Sequence, residues 1–314
     1  MTESFVCAQK TVNTREDIKV FINEGVNNNA LRIIMEKNAS KLLSAFNRAA
    51  REKKKPVIPQ DIIEARALEK INDLWQTSAM VCEKIHIDEN CVTTVYGDYQ
   101  IRNIPIIMIS ASKTTKKEEI AIHFNLNGKI SDVNITLQEH QYVQILGESK
   151  IVEDIVNRNK ILDFIEKFRT AYNCKDIDYL DNVFSNNALI ITATEIRQQP
   201  NSDQAIRGLN DKDYNFQIQT KKEYLKNLNE KVFKKNRYLN IVFDSVKVLQ
   251  HPGYDNIYGV TVKQQWNSPK YSDVGYLYLL IDCRRENEMQ IFVRAWHPED
   301  YFDFGKFDRF RFNN

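Results

Sequence analysis

Apolar residues in this chain switch twice from helical spacing to strand alternation, so neither an all-helical nor an all-strand fold can accommodate it. In residues 29 to 53, "NALRIIMEKNASKLLSAFNRAAREK", the residues Leu31, Ile34, Met35, Leu42, Leu43 and Phe46 recur at the spacing of an amphipathic helix. Pro56 and Pro59 break it, and Pro59 is expected to open a second helix running to Trp75, with Asp61 in its first turn. The period then becomes two. "MVCEKIHI", "CVTTVYGDYQIRNIPIIMIS", "EEIAIHFNLNGKI" and "SDVNITL" read as strands, and Asn127-Gly128 marks a hairpin. Two helices followed by an antiparallel meander make an α+β unit.

A helical linker is expected from Gln138 to about Arg158, after which the same plan recurs. "NKILDFIEKFRTAYNCKD" carries Ile161, Leu162, Ile165, Phe168 and Tyr172 on one helical stripe. "DIDYLDNVFS" is a short helix capped by Asp176, and "ALIITATEI" is a strand. Residues 197 to 219, with Pro200, Gly208 and many Asn and Asp, read as a long loop. A third helix, "KKEYLKNLNEKVFKKN", leads into strands near 239–249, 257–266, 274–283 and 289–296. The expected organisation is an α+β domain at 26–150, a second at 151–300, and an aromatic tail at 301–314. About two domains also suit a length of 314 residues.

With 42% hydrophobic and 27% charged residues the chain has the composition of a globular protein rather than a disordered one. A net charge of +2 gives no concentrated basic surface of the kind nucleic acid requires, so no nucleic-acid partner is expected. The runs Lys53-Lys54-Lys55, Lys221-Lys222 and Lys234-Lys235 read as solvated helix faces. No stretch of apolar residues is long enough to span a membrane. The piece from Phe5 to Gln9 reads as the end of a signal peptide, which would place the chain in the periplasm or outside the cell; without a leader it would be cytoplasmic. Cys82 and Cys91 flank "EKIHIDEN" and read either as a disulfide or as small apolar residues at strand ends.

The stretch "ILDFIEKFRTAYNCKDIDYLDNVFSNNALI" resembles the entry motif of the nuclear transport factor 2-like superfamily. A helix ends in aromatic-Asn-x-x-Asp, here Tyr172 to Asp176, and a short helix ends in Phe-x-x-(Asp/Asn)-Ala, here Phe184 to Ala188. "YGVTVKQQWNSPKYSDVGYLYLLID" with "VRAWHPED" looks like a group of exported bacterial two-domain proteins of that superfamily, which includes SnoaL-like and ketosteroid isomerase-like members. The resemblance covers roughly residues 157 to 297 and implies a curved, cystatin-like antiparallel sheet wrapped on helices, with a pocket inside. "HFNLNGKISDVNITL" is similar to the closing strand pair, so the first domain reads as a degenerate copy. The superfamily contains both enzymes and binding modules, so the fold implies no single activity. The ketosteroid isomerase positions for an oxyanion-donating Tyr and a basic Asp fall here on Phe168 and Thr192, which can supply neither role.

No catalytic residue is therefore assigned. Strand alternation groups Gln264, Trp266, Tyr276, Tyr278, Arg294 and Trp296 as ligand-binding residues. Arg beside Trp suits a carboxylate or planar anion. The competing reading makes the same residues a sheet–sheet interface. The five histidines lack metal-ligand spacing, so neither a metal nor another cofactor is expected. The functional expectation is a non-enzymatic module binding a small hydrophobic or anionic ligand, or another protein. Self-association through a sheet face is a further expectation. The alternative is a lyase or isomerase of a hydrophobic small molecule, using Tyr276, Tyr278, Asp282 or Arg294. The aromatic tail "DYFDFGKFDRFRFNN" is expected to dock on a neighbouring sheet or on the first domain.

Overall fold

The computed structural model describes residues 17–94, 97–110, 113–148, 152–195, 214–285 and 288–300. The signal-peptide reading at Phe5–Gln9 and the aromatic tail at 301–314 lie outside them. The chain divides into two compact units, Met1–Gln138 and Glu139–Asn314. Both are α+β.

In the first unit β1 (Lys19–Ile22) precedes α1 (Asn29–Glu52) and α2 (Ala65–Thr77). Then come β2 (Ser78–Val81), β3 (His86–Glu89), β4 (Cys91–Thr93), β5 (Tyr99–Ser110), β6 (Thr115–Phe124) and β7 (Ile130–Ile135). The sheet runs β2-β5-β6-β7, with β4 also on β5, and every pairing in it is antiparallel. Met35, Leu42, Leu43 and Phe46 of α1 are fully buried, as the helical stripe requires, whereas Ile34 of the expected stripe is exposed. The Asn127-Gly128 turn closes the β6–β7 hairpin with Gly128 at φ 75°, a conformation glycine adopts without strain.

Two features of this unit depart from the sequence reading. The second helix begins at Ala65, not Pro59, because residues 60–62 form a turn that draws Ile62 and Ile63 into the core, where Ile63 makes a parallel bridge to Ile130. The short strand β1 was not expected. It pairs in parallel with β3 on one side. On the other, its amides at Ile18, Val20 and Ile22 donate to Ser44 Oγ (3.3 Å), Ser40 Oγ (2.9 Å) and Glu36 Oε1 (2.9 Å) of α1. Four helical residues rise about 6 Å and two strand residues about 6.6 Å, so side chains at every fourth helix position can serve every second strand amide. Cys82 and Cys91 are buried free thiols, not a disulfide.

The second unit contains α3 (Glu139–Gly147), α4 (Val152–Cys174), α5 (Ile177–Val183), β8 (Phe184–Glu195), β9 (Tyr214–Gln219) and α6 (Lys221–Asn227). A π-helical turn, Leu228–Phe233, prolongs α6 and leads into β10 (Asn240–Gln250), β11 (Ile257–Asn267), β12 (Ser272–Asp282) and β13 (Gln290–His297). The expected linker is thus two helices. α3 belongs to this unit, where Gln141 Nε2 donates to Asp244 (2.5 Å) and Arg158 to the Ile145 carbonyl (3.3 Å). Part of the expected loop before α6 is the edge strand β9.

The strand order is β10-β11-β12-β13-β8-β9, antiparallel throughout except for the parallel pair β13–β8. Bulges after Asp244 and between Leu280 and Ile281 disturb the ladder, and such bulges add twist and curl a sheet. The aromatic-Asn-x-x-Asp step has a plain mechanical role. Asn173 grips Ile241 of β10 through both backbone groups (2.7 and 3.2 Å), and Asp176 caps α5 by accepting from the Tyr179 amide (2.8 Å). Lys175 between them takes φ 62°, ending α4. Arg169 Nε also donates to the Ile241 carbonyl (2.8 Å), so one face of the sheet is tied to α4. The opposite face carries Ile257, Tyr278, Leu280, Val293 and Ala295, all 3% exposed or less within the single chain. That face is buried at its centre only: Phe216, Ile218, Leu249 and Val274, which share it, are 46%, 74%, 58% and 49% exposed. Among the described residues no helix is long and apolar enough to cross a membrane.

Candidate functional site

The helix-facing side of this sheet does not close completely. Between β8, β9, α6 with its π-helical turn, and the ends of β11 to β13 lies a cavity of about 270 Å³. Its helical wall starts at a capping box. Thr220 accepts from the Glu223 amide while Glu223 accepts from that of Thr220, which sets where α6 begins and hence where Tyr224 points. The helix then widens, with the Lys234 amide bonding the Asn229 carbonyl five residues back (3.0 Å). That wider turn brings Asn227, Leu228, Lys231 and Val232 to the same wall.

The polar wall opposite is a relay. Asn227 Nδ2 donates to Gln219 Oε1 (2.9 Å), and Gln219 Nε2 donates to the Thr192 hydroxyl (2.7 Å). Behind the lining residues Tyr224 and Trp266 lies an aromatic cluster. Phe168 meets Tyr172 and Phe184 edge-on with ring centroids at 5.0 and 5.9 Å, Phe184 meets Tyr224 at 5.7 Å, and Tyr172 meets Trp266 at 6.0 Å. Phe168 is therefore core, and Thr192 is a hydrogen-bond acceptor in the wall.

Arg294 lines the cavity while only 5% exposed. Its guanidinium lies 5.0 Å from the Tyr224 ring centroid, a cation–π contact. Its Nε and Nη1 are buried without a hydrogen-bond partner, and no acid among the described residues pairs with it. Burial works against this charge, but the neighbouring Tyr224 and Tyr172 outweigh it and hold the pKa above the usual arginine range. Burial pushes the Tyr224 hydroxyl well above the usual tyrosine range. The carboxylate in the lining, Asp273, accepts from the Tyr271 hydroxyl (2.8 Å).

Four of the six residues grouped from strand alternation, Gln264, Trp266, Arg294 and Trp296, line this one cavity. Tyr276 and Tyr278 do not. Gln264 pairs with Gly275, Trp296 with Leu277 and Arg294 with Leu279, so the residues of β12 on the cavity side are the odd-numbered ones. Tyr278 packs in the opposite face with Leu280 and Val293. Asp282 is held by Arg284 (2.8 Å) and is not in the lining. Of the residues named for an enzymatic alternative, Arg294 alone borders the cavity, and arginine does not exchange protons near neutral pH. Among the described residues no cluster of three His, Cys, Asp or Glu could hold a metal ion.

Sequence reasoning missed Tyr224, Gln219, Asn227 and Gly275. Gly275 carried a signal: it is the one glycine in a strand otherwise rich in large residues, and the Trp296 indole lies against it.

No protein-family model matches this chain, and no curated protein matches it. Among solved structures it is similar to Bd1075 of Bdellovibrio bacteriovorus at 12% identity and a TM-score of 0.34, over 62% of this chain and 68% of that one. A naphthalene 1,2-dioxygenase with indole bound in its active site aligns at 7% identity and a TM-score of 0.34, over 52% of this chain and 88% of that one. An Rd1NTF2 protein variant aligns at 8% identity and a TM-score of 0.28, over 44% of this chain and 97% of that one. Scores at this level carry no argument about the activity of the chain.

Proposed function

We propose that the second unit is a nuclear transport factor 2-like binding module that holds a small anionic ligand in the cavity beside Arg294, without chemistry of its own. The observation that carries this is the buried guanidinium, with two nitrogens unsatisfied and no acid among the described residues paired with it. A charge in such a place costs several kcal/mol unless a counter-charge meets it. The surrounding indoles and the Asn227–Gln219–Thr192 relay supply apolar contact and orientation, the usual composition of a small-ligand site.

The test is Arg294→Met in the full chain, followed by urea unfolding with and without small carboxylates. An arginine kept for a ligand is dispensable to the fold. Replacing a buried charge by an apolar side chain is then neutral or stabilises by about 1–4 kcal/mol. Added carboxylate should stabilise the native chain, by about 2.7 kcal/mol at a concentration of about 100 Kd, and should leave the variant unmoved. Loss of about 3 kcal/mol or more on substitution, with anions affecting neither protein, would show Arg294 to be structural and overturn the proposal.

A further inference from the structure

We infer that the ligand is a small monocarboxylic acid whose carboxylate is received jointly by Arg294 and the Tyr224 hydroxyl. This rests on the reading of the cavity as an anion site and narrows it by counting protons and charges.

The Tyr172 and Tyr224 hydroxyls are 2.5 Å apart, and the two residues are 2% and 5% exposed. Two hydroxyls bring two protons, and the bond between them uses one. The other needs an acceptor. Tyr224 borders the cavity, whereas Tyr172 sits behind it, wedged edge-on between Phe168, Phe233 and Trp266. Tyr172 also stands close enough to Arg294 to interact with its charge. With Arg294 as a donor beside it, the Tyr172 oxygen accepts and its proton goes to Tyr224. The Tyr224 proton is then directed at the cavity. A hydroxyl donor next to a guanidinium whose Nε and Nη1 lack a partner matches an acceptor group with more than one oxygen and a negative charge.

The charge count separates carboxylate from phosphate. Arg294 is the buried cation of the lining, while Lys231, exposed, and Asp273, half-buried, are opposite charges of the same lining that cancel in the count. One deep positive charge balances a monoanion. A dianion would leave one charge in a site whose remaining deep groups, Gln264 and the Trp296 indole, are neutral. The volume, about 270 Å³, falls just below that of sites for drug-sized ligands, so the acid is small.

The experiment uses the full chain and three matched probes, phenylacetate, phenylacetamide and phenyl phosphate, titrated by calorimetry into the native protein and into Tyr224→Phe. The variant keeps the ring that packs on Phe184 and under Arg294 but takes the acceptor from the Tyr172 hydroxyl, so its urea unfolding is measured first to establish that the fold is retained. Phenylacetate should bind more tightly than the other two. Tyr224→Phe should weaken it by about tenfold or more, the worth of one hydrogen bond to a charged group. Preference for phenyl phosphate, or an unchanged phenylacetate affinity in Tyr224→Phe, would overturn this inference and leave the anion site standing. Equal binding of phenylacetamide and phenylacetate, or no binding of any probe, would overturn both.

Discussion

Gly275→Ala should dismantle one wall of the cavity by a single methyl group. An ideal Cβ at this position would lie 2.3 Å from Cζ2 and 2.6 Å from Cε2 of Trp296, and 2.7 Å from the His297 carbonyl oxygen. Carbon atoms in ordinary contact sit about 3.5–4.0 Å apart, so the indole would have to retreat by more than about 1 Å. Rotating the indole relieves only part of this. The His297 oxygen belongs to a ladder paired with Tyr276, so β13 must also shift against β12. Overpacking of this kind costs about 1–3 kcal/mol, and the backbone clash places it in the upper half of that range. Without a clash the sign would reverse, because Gly→Ala at a compatible site stabilises by about 0.4–1 kcal/mol through the unfolded chain. The assay is urea unfolding of the full chain in a Trp75→Phe background. Of the three tryptophans, Trp266 and Trp296 then remain, both in the second unit. A loss of about 2 kcal/mol moves the midpoint down by roughly 1 M. Phenylacetate binding should weaken in parallel. A midpoint that rises, or holds, would refute the claim that Gly275 is there to seat the indole.

Two further outcomes concern the first unit. Asn47 is fully buried and pairs with both backbone groups of Cys82, at 2.8 Å each, so Asn47→Ala strands two buried polar groups. Each is worth about 1–3 kcal/mol, and Trp75 fluorescence during unfolding should register the loss. Burial pushes the Cys82 and Cys91 thiols up to about 11 from 9.0. An acid whose pKa is raised by folding contributes stability that is complete below its unfolded value. The contribution of these two thiols to unit-one stability should therefore be level up to pH 9 and fall as pH climbs towards about 11, and a Cys82→Ala, Cys91→Ala double variant should lose that part of the slope. An unchanged slope in the double variant would assign the pH dependence elsewhere.

What the sequence by itself determined is what neighbours along the chain decide. The stripe from Leu31 to Phe46 predicts α1 at its observed position, and the His251-Pro252-Gly253 turn separates strands found within a residue of expectation, whereas the strand expected over residues 118–130 is β6 at Thr115–Phe124. Asp176 and the step before it foretold the break between α4 and α5. Helical and strand periods are local, and so are caps and turn residues, so each is readable from a short window. The phase between strands is not. Alternation sets Tyr276 and Tyr278 on one face of β12, but only the pairing of Gly275 with Gln264 decides that this face points away from Arg294. A slip of one residue would exchange the two faces, and nothing in either strand alone forbids it. The edge strand β9 and the parallel pairs β1–β3 and β13–β8 join segments distant in sequence, and no local period marks them. The cavity has the same origin. Tyr172, Tyr224 and Arg294 come from a long helix, a capped short helix and the last strand; strand alternation singles out Arg294, but nothing local marks Tyr172 or Tyr224 as its neighbours. Their proximity follows from the curl of the sheet around α4, and only long-range packing determines it.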